Sequence, residues 1–421
     1  MSFEIVEKSK VSREITLTVK GDDVRRTESQ MVEQARKTMK VNGFRKGKVP
    51  ASYIRERAGA SIMEDARREC LQEAAREALA TIENLIHVGE AEVVEAKTED
   101  GGFVAKLSAE VTPTVELVDY KGIEVEVADA VVTDKDVDEA LEARREAHAV
   151  VKEVEGHDTV AEGDSVVVTL SAPNEAASKI CRAGDRTLII GKGILNKEME
   201  ACLVGVKKGD SVNLSAKIDD ADAVVTAEVK EIKVRELPAL DDEFAKDTGD
   251  AETLEGLKEK TRERLTQDAE AERKASIDAK LCDKLREMMP IEIPEGYVRG
   301  RATQAIRLQL EQMMRQQLDD SWVARIANNL KEAELVEYRN DYHVEIILNA
   351  IAAAEKIEVS LEDTLTEASK WFGGANKSQV ERWLKTNNAS SFVGDQVKRD
   401  RALDVVREAA VIKPATETAE G

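Results

Sequence analysis

Gly43-Phe44-Arg45-Lys46-Gly47-Lys48-Val49-Pro50 is the stretch on which the reading of this chain turns. A helical run from Asp22 to Val41 precedes it. Pro50 is placed to open a second helix, because proline is tolerated in a first turn. The string therefore reads as the tip of a helix–loop–helix. Glycines at both ends of the Phe-Arg-Lys core permit the turns and let a short loop push Phe44 outward. From Arg36 to Arg57 there are eight basic residues and one acid, Glu56, in a chain whose formal charge is -22. A basic, aromatic-tipped knob on an acidic body has the composition of a docking device.

The rest of the composition narrows the field. At 421 residues the chain has room for two to four domains. Apolar residues make up 42% and aromatics only 3%, so aliphatic side chains and alanine must supply most of the core. Acids outnumber bases 84 to 62. A uniform surface of that sign repels nucleic acid and anionic membranes, so any RNA contact has to be local, as at the 36–57 patch. Met1-Ser2-Phe3-Glu4 runs straight into alternating, strand-like sequence, so no signal peptide and a cytoplasmic location are expected. No apolar run approaches the ~20 residues that a spanning helix needs, and no membrane partner is expected. Cys70, Cys181, Cys202 and Cys282 show no Cys-x-x-Cys spacing and read as free buried thiols in a reducing compartment. The four histidines are equally scattered, so neither a metal nor a cofactor is expected.

In order, residues 2–20 alternate as two half-buried strands, with Phe3 and Ile5 on the first and, after a turn, Ile15, Leu17 and Val19 on the second. After the loop comes a short helix, Ala51–Arg57, which Gly59 is expected to break. A third helix follows from Ser61 to Leu85. There Ile62, Ala66, Cys70, Ala74, Ala78 and Ile82 form one apolar stripe. Strands at Glu90–Ala96 and Phe103–Val111, joined by Asp100-Gly101-Gly102, close a compact α+β unit near Pro113. An extended connector then leads to a helix capped by Thr133, with Asp136 three residues on, running to Glu153. Residues 154–236 read as β-rich. Asp250 to Met289 holds no proline and one glycine, Gly256. As one helix it spans roughly 55–60 Å. Further helices are expected at Glu295–Leu318, around Trp322–Leu330, at Leu335–Ile357, Thr364–Phe372, Ser378–Lys385 and Ala389–Ala410, with Trp322, Trp371 and Trp383 read as core.

The eight-residue loop string resembles the signature loop of the bacterial trigger factor family, the chaperones that sit at the ribosomal exit tunnel. The resemblance runs through the whole chain and is strongest in the first 120 residues. It implies a multidomain α+β architecture: a ribosome-binding α+β domain (1–113), an extended linker and helix (114–153), an FKBP-like domain (154–236), an all-α domain with long arms (237–412), and a polar tail (413–421) that is expected to be disordered. It further implies an ATP-independent chaperone that binds nascent and unfolded polypeptides and assists folding and export. Its other partner is the large ribosomal subunit, through protein and rRNA. Gly43, Phe44, Arg45, Lys46, Gly47, Lys48 and Pro50 would make the contact, with Arg45 and Lys46 on phosphate or acidic side chains and Phe44 in an apolar hollow. A homodimer away from the ribosome is left open.

Gly191-x-Gly193…Glu200-x-x-Leu203-x-Gly205-x-Lys207-x-Gly209-Asp210 is similar to the central segment of FKBP-type prolyl isomerases. It is not a phosphate loop, lacking the Gly-Lys-Ser/Thr continuation. The family's active site is walled by aromatic rings, and this chain has none between Tyr120 and Phe244. By resemblance the pocket positions fall on Leu170, Leu195, Asn196, Lys197, Met199 and Val225. An amide and charges in place of an apolar floor hydrate the site. Lowering a rotation barrier of about 18–20 kcal/mol needs a desolvated cleft. We therefore expect isomerase activity to be weak or lost and assign no catalytic residue. The alternative is an active FKBP-type isomerase acting on nascent chains. A periplasmic escort with a parvulin-type domain fits neither the basic loop nor the start of the chain. In the helical region Met288, Met289, Ile306, Leu310, Met313 and Met314 are candidates to line a cradle for clients, since methionine adapts its shape. For each of these, the sequence leaves helix-on-helix packing equally open.

Overall fold

The computed structural model describes residues 1–39, 44, 47–89, 91–94, 101–154, 156–171, 184–192, 197–218, 221–372 and 376–414. The chain divides into two compact units, one of residues 1–127 with 275–421 and one of residues 128–274.

In the first unit, β1 (Ser2–Glu7) and β2 (Ser12–Val19) form an antiparallel hairpin. Helices α1 (Gly21–Thr38) and α2 (Ala51–Leu79) follow, then β3 (Leu85–Val88), β4 (Glu92–Val94) and β5 (Phe103–Val111). The sheet order is β1-β2-β5-β3, with β4 also paired to β5. Alternation in β2 and β5 sends Ile15, Leu17, Val19, Ala105, Leu107 and Ala109 inward, against Ala66, Cys70, Ala74 and Ala78 of α2. The stripe read from the sequence is the core-facing one, but the expected break at Gly59 is absent and α2 is one helix of 29 residues. A single glycine costs a helix about 1 kcal/mol. Burial of the stripe outweighs it.

The connector after β5 is part of the helical core. Tyr120, Ile123, Val125 and Val127, the last two on β6 (Glu124–Val127), pack with Ile277, Leu281 and Leu285 of α6 (Leu254–Met288). Residues of α9 (Glu332–Ala354) and α12 (Ser390–Ala409) complete that cluster. Strand β12 (Val411–Pro414) pairs parallel with β6. The remaining helices are α7 (Glu295–Met314), α8 (Asp320–Asn329), α10 (Leu361–Trp371) and α11 (Lys377–Thr386). The long proline-free run is one helix of 35 residues.

In the second unit, Thr133 caps α3 (Asp134–Ala147) in a full capping box with Asp136, as the spacing anticipates. The helix stops at Ala147, six residues short of the expected Glu153, because β7 (Val150–Lys152) pairs with β11 (Ala221–Glu236). The sheet is ordered β10 (Ser211–Ile218), β11, β8 (Ser165–Ser171), β9 (Gly184–Ile189), with α4 (Lys197–Leu203) and α5 (Asp242–Asp247) beside it in sequence. Of the cysteines, Cys70 is buried, Cys282 half-buried and Cys202 exposed, and none of these three is in a disulfide. The expectation of a buried thiol therefore fails at Cys202, on the outer face of α4. Cys181 lies outside the described residues.

Candidate functional site

The loop is held from both sides by a small apolar cluster. Val32 of α1, Val49 and Ile54 of α2 are buried together, with Met39 and Tyr53 packed against them. Val49 is 0% exposed, so its side chain pins the C-terminal end of the loop between the helices. Gly47 has φ +80°, a conformation that only glycine adopts without strain. Pro50, with φ -64° and its ring exposed, is the N-cap of α2 rather than its first helical residue. Phe44 is 40% exposed, and its ring centroid stands 5.6 Å from that of Tyr53. The ring leans on the base of α2 instead of entering a core. Gly43, Arg45 and Lys46 lie outside the described residues.

Geometry separates the basic residues of the patch into two groups. Arg55 is committed to Glu28, at 2.8 and 3.2 Å, and to the Ser29 hydroxyl. The Arg55 guanidinium holds the Glu28 carboxyl below the usual carboxylate range against the opposing effect of burial. Arg36 bonds Glu33 at 3.0 Å, and Arg57 donates to the Tyr53 hydroxyl at 3.1 Å. Those three are scaffold. Lys37 and Lys48 are exposed beside the loop. Charge counting along the sequence could not set Arg55 apart, because its carboxylate, Glu28, comes from α1, 27 residues away.

In the β-rich unit the structure brings Leu170, Met199 and Val225 together. They are 2%, 0% and 1% exposed and share one aliphatic cluster with Leu188, Leu203 and Leu214. These three side chains sit in the aliphatic core of the unit. Lys197 begins α4, and Leu195 and Asn196 lie outside the described residues. Glu200 is buried and accepts from the Gly191 amide at 3.0 Å, which fastens α4 to the turn before it.

The helical candidates divide unevenly. Met288, Met313 and Met314 are exposed, at 38%, 74% and 44%, while Ile306 and Leu310 are half-buried. Met289 is a correction: it is 3% exposed and packed among Ile277, Leu281 and Leu285, where α6 ends against the core. The tryptophans correct the reading in the other direction. Trp322 is 40% exposed with the Arg325 guanidinium 4.0 Å over its ring, and Trp371 is 48% exposed. Trp371 and Phe372 meet the half-buried Trp383 edge-on, at 6.5 and 5.1 Å, on the rim of a small core that has no room for three large rings. Leu308, 56% exposed, and Phe392, 63% exposed, are apolar surface residues that sequence reasoning missed. Among the described residues no group of three metal-ligating side chains is placed to hold an ion, and no helix is long and apolar enough to cross a membrane.

Fold and site together define a multidomain α+β binding protein. It carries a basic, aromatic-tipped loop on its N-terminal module and exposed methionine and aromatic groups on its helical one. Residues 1–144 match the family model for bacterial trigger factor protein, and residues 253–408 match that for its C-terminus. The trigger factor of Anoxybacillus flavithermus is 31% identical over 415 residues, covering 94% of this chain and 95% of its own length. That of Bacillus cytotoxicus is 32% identical over 412 residues, covering 93% and 95%. That of Aquifex aeolicus is 29% identical over 419 residues, covering 95% and 85%. A solved trigger factor chaperone, described for promiscuous substrate recognition in folding and assembly, aligns over 97% of this chain and 99% of its own. Its identity is 24% and its TM-score 0.48. The chain belongs to the bacterial trigger factor family.

Proposed function

We propose that this protein is an ATP-independent, ribosome-associated chaperone that receives nascent chains at the exit tunnel in the cytoplasm. One observation carries the proposal. Phe44 stands 40% exposed on a loop whose base, Val49, is fully buried, so a rigid scaffold presents an apolar ring to a partner. Arg45 and Lys46 supply the charge that this partner meets, with Lys48 beside them. Gly47 supplies a turn and Pro50 the N-cap of α2, and Gly43 belongs to the same contact. The partner is the large ribosomal subunit, where rRNA phosphate and acidic protein side chains suit guanidinium and ammonium groups.

Met288, Ile306, Leu310, Met313 and Met314, together with Leu308 and Trp322, make the surface for unfolded chains. Flexible thioethers and half-open rings accept many apolar sequences weakly, which suits capture and release without nucleotide. The β-rich unit contributes a fold and not turnover. The test is co-sedimentation with ribosomes at physiological salt. Replacing Phe44, Arg45 and Lys46 with alanine together should abolish pelleting while leaving the circular dichroism spectrum unchanged. If the triple variant still pellets, the docking assignment is wrong.

A further inference from the structure

We propose that Glu110 is a latch: its carboxylate, seated on the first turn of α7, holds the N-terminal sheet against the helical module, and its release lets the sheet lift away. Glu110 Oε1 accepts from the Gly296 amide at 2.9 Å and Oε2 accepts from the Tyr297 amide at 2.7 Å. Both carboxylate oxygens are thus used on donors that lie 186 and 187 residues away in sequence. A helix leaves its first amides without partners, and they carry partial positive charge. The N-cap of α7 is Pro294, which offers no side-chain acceptor. The helix therefore takes its acceptor from β5.

The fit is close enough that a side chain at Gly296 would push on the seated carboxylate. A Cβ at Gly296 would stand 2.9 Å from His87 Cδ2 and 3.0 Å from each Glu110 oxygen. His87 and Glu110 are directly opposed across β3 and β5, so both strands face that one turn. Around the latch the apolar contact is modest. Half-buried Ile86 and Val115 touch the cluster of Val298, Ala302, Leu335 and Tyr342. At the hairpin the Lys10 amide donates to Glu292 at 3.2 Å. A cleft of about 590 Å³ opens alongside, between Lys10, Arg13, Val115, Met288 and Glu292. Two charge-assisted bonds in one place then decide whether the sheet stays down.

The experiment is pulsed dipolar spectroscopy on the full chain with its four cysteines replaced by alanine. Spin labels go on E92C, exposed on β4, and E337C, exposed on α9. The parent should give one narrow distance. E110A removes the acceptor and G296A blocks its seat. Each should add a longer, broad population, with the open-to-closed ratio rising roughly tenfold or more. G300A is the control, because a Cβ there meets nothing within 4 Å on the same helix. It should keep the single narrow distance. Hydrogen exchange at the amides of residues 296 and 297 reports that the seat is empty in both variants. The proposal stands only if E110A and G296A both broaden. A single narrow distance in either overturns it and leaves Glu110 as a helix cap.

Discussion

Arg55 grips Glu28 through two hydrogen bonds, of 2.8 and 3.2 Å, and so ties the first turns of α2 to α1. The Glu28 side chain is 9% exposed and that of Arg55 48%. Removing the arginine leaves a nearly buried carboxylate without its main partner. R55A should lower the melting temperature of the N-terminal module by a few degrees, measured by calorimetry near pH 7. The sign of the pH dependence follows from the lowered Glu28 pKa. A depressed carboxyl stabilises the fold above its unfolded pKa and stops doing so as pH falls through its folded one. The gap between R55A and the parent should therefore be full above pH ~4.5 and shrink below it. A gap that is constant from pH 7 to pH 3 would show that the pair contributes packing and no charge.

If the loop docks as proposed, Val49 and Gly47 should act on docking without touching the partner. V49A empties part of a site that is 0% exposed, at a cost of about 2 kcal/mol. G47A meets nothing within 4 Å, so its cost is purely the backbone at φ +80°, roughly 1–2 kcal/mol. G47N should cost less, since asparagine tolerates that region. Both alanine variants should weaken ribosome pelleting through a loosened loop. Full pelleting by V49A, with the expected loss in urea stability, would mean that the loop needs no anchor.

The ring and the charges of the loop should separate by salt. R45A/K46A removes cations from phosphate, so the slope of log affinity against log salt should flatten by about 1.5. F44A should lower affinity at every salt concentration and leave the slope alone, because burying a ring releases no counterions. If F44A changes the slope as much as R45A/K46A does, the ring is only positioning the cations.

The division between what was legible in the sequence and what was not follows contact range. Alternation in β2 and β5, the stripe through Ala66, Cys70 and Ala74, and the Thr133 capping box are local periodicities found where expected, whereas in β1 the expected half-burial fails, with Phe3 39% exposed. The loop was legible because eight adjacent positions carry it. The end of α3 was not, because β7 owes its existence to β11, with Glu236 opposite Val150. Likewise β12 is a strand only because Val411 lies beside Glu124. Gly59 reads locally as a break, yet burial along the rest of α2 overrides it. The seat of Glu110 on Gly296 leaves no local trace. Its one sequence signal is a glycine in the first turn of a helix that begins after a proline.

The closed core of the β-rich unit gives the last prediction. Leu170, Met199 and Val225 are packed with Leu188, Leu203 and Leu214, so three positions that by resemblance belong to an FKBP-type pocket are buried aliphatic side chains. A twisted prolyl bond needs a dry, preformed cleft, and these side chains offer no aromatic wall for one. In a protease-free assay on an Ala-Leu-Pro-Phe peptide the chain should show no turnover above the uncatalysed rate. Restoring one ring should not rescue it. V225F forces extra volume into a site that is 1% exposed and should cost about 1–3 kcal/mol in urea unfolding, with no gain in rate. Turnover near that of an ordinary FKBP-type enzyme in the parent would show that catalysis here does not depend on the aromatic wall. A V225F variant that is both stable and active would show that the aliphatic core had been concealing a usable cleft.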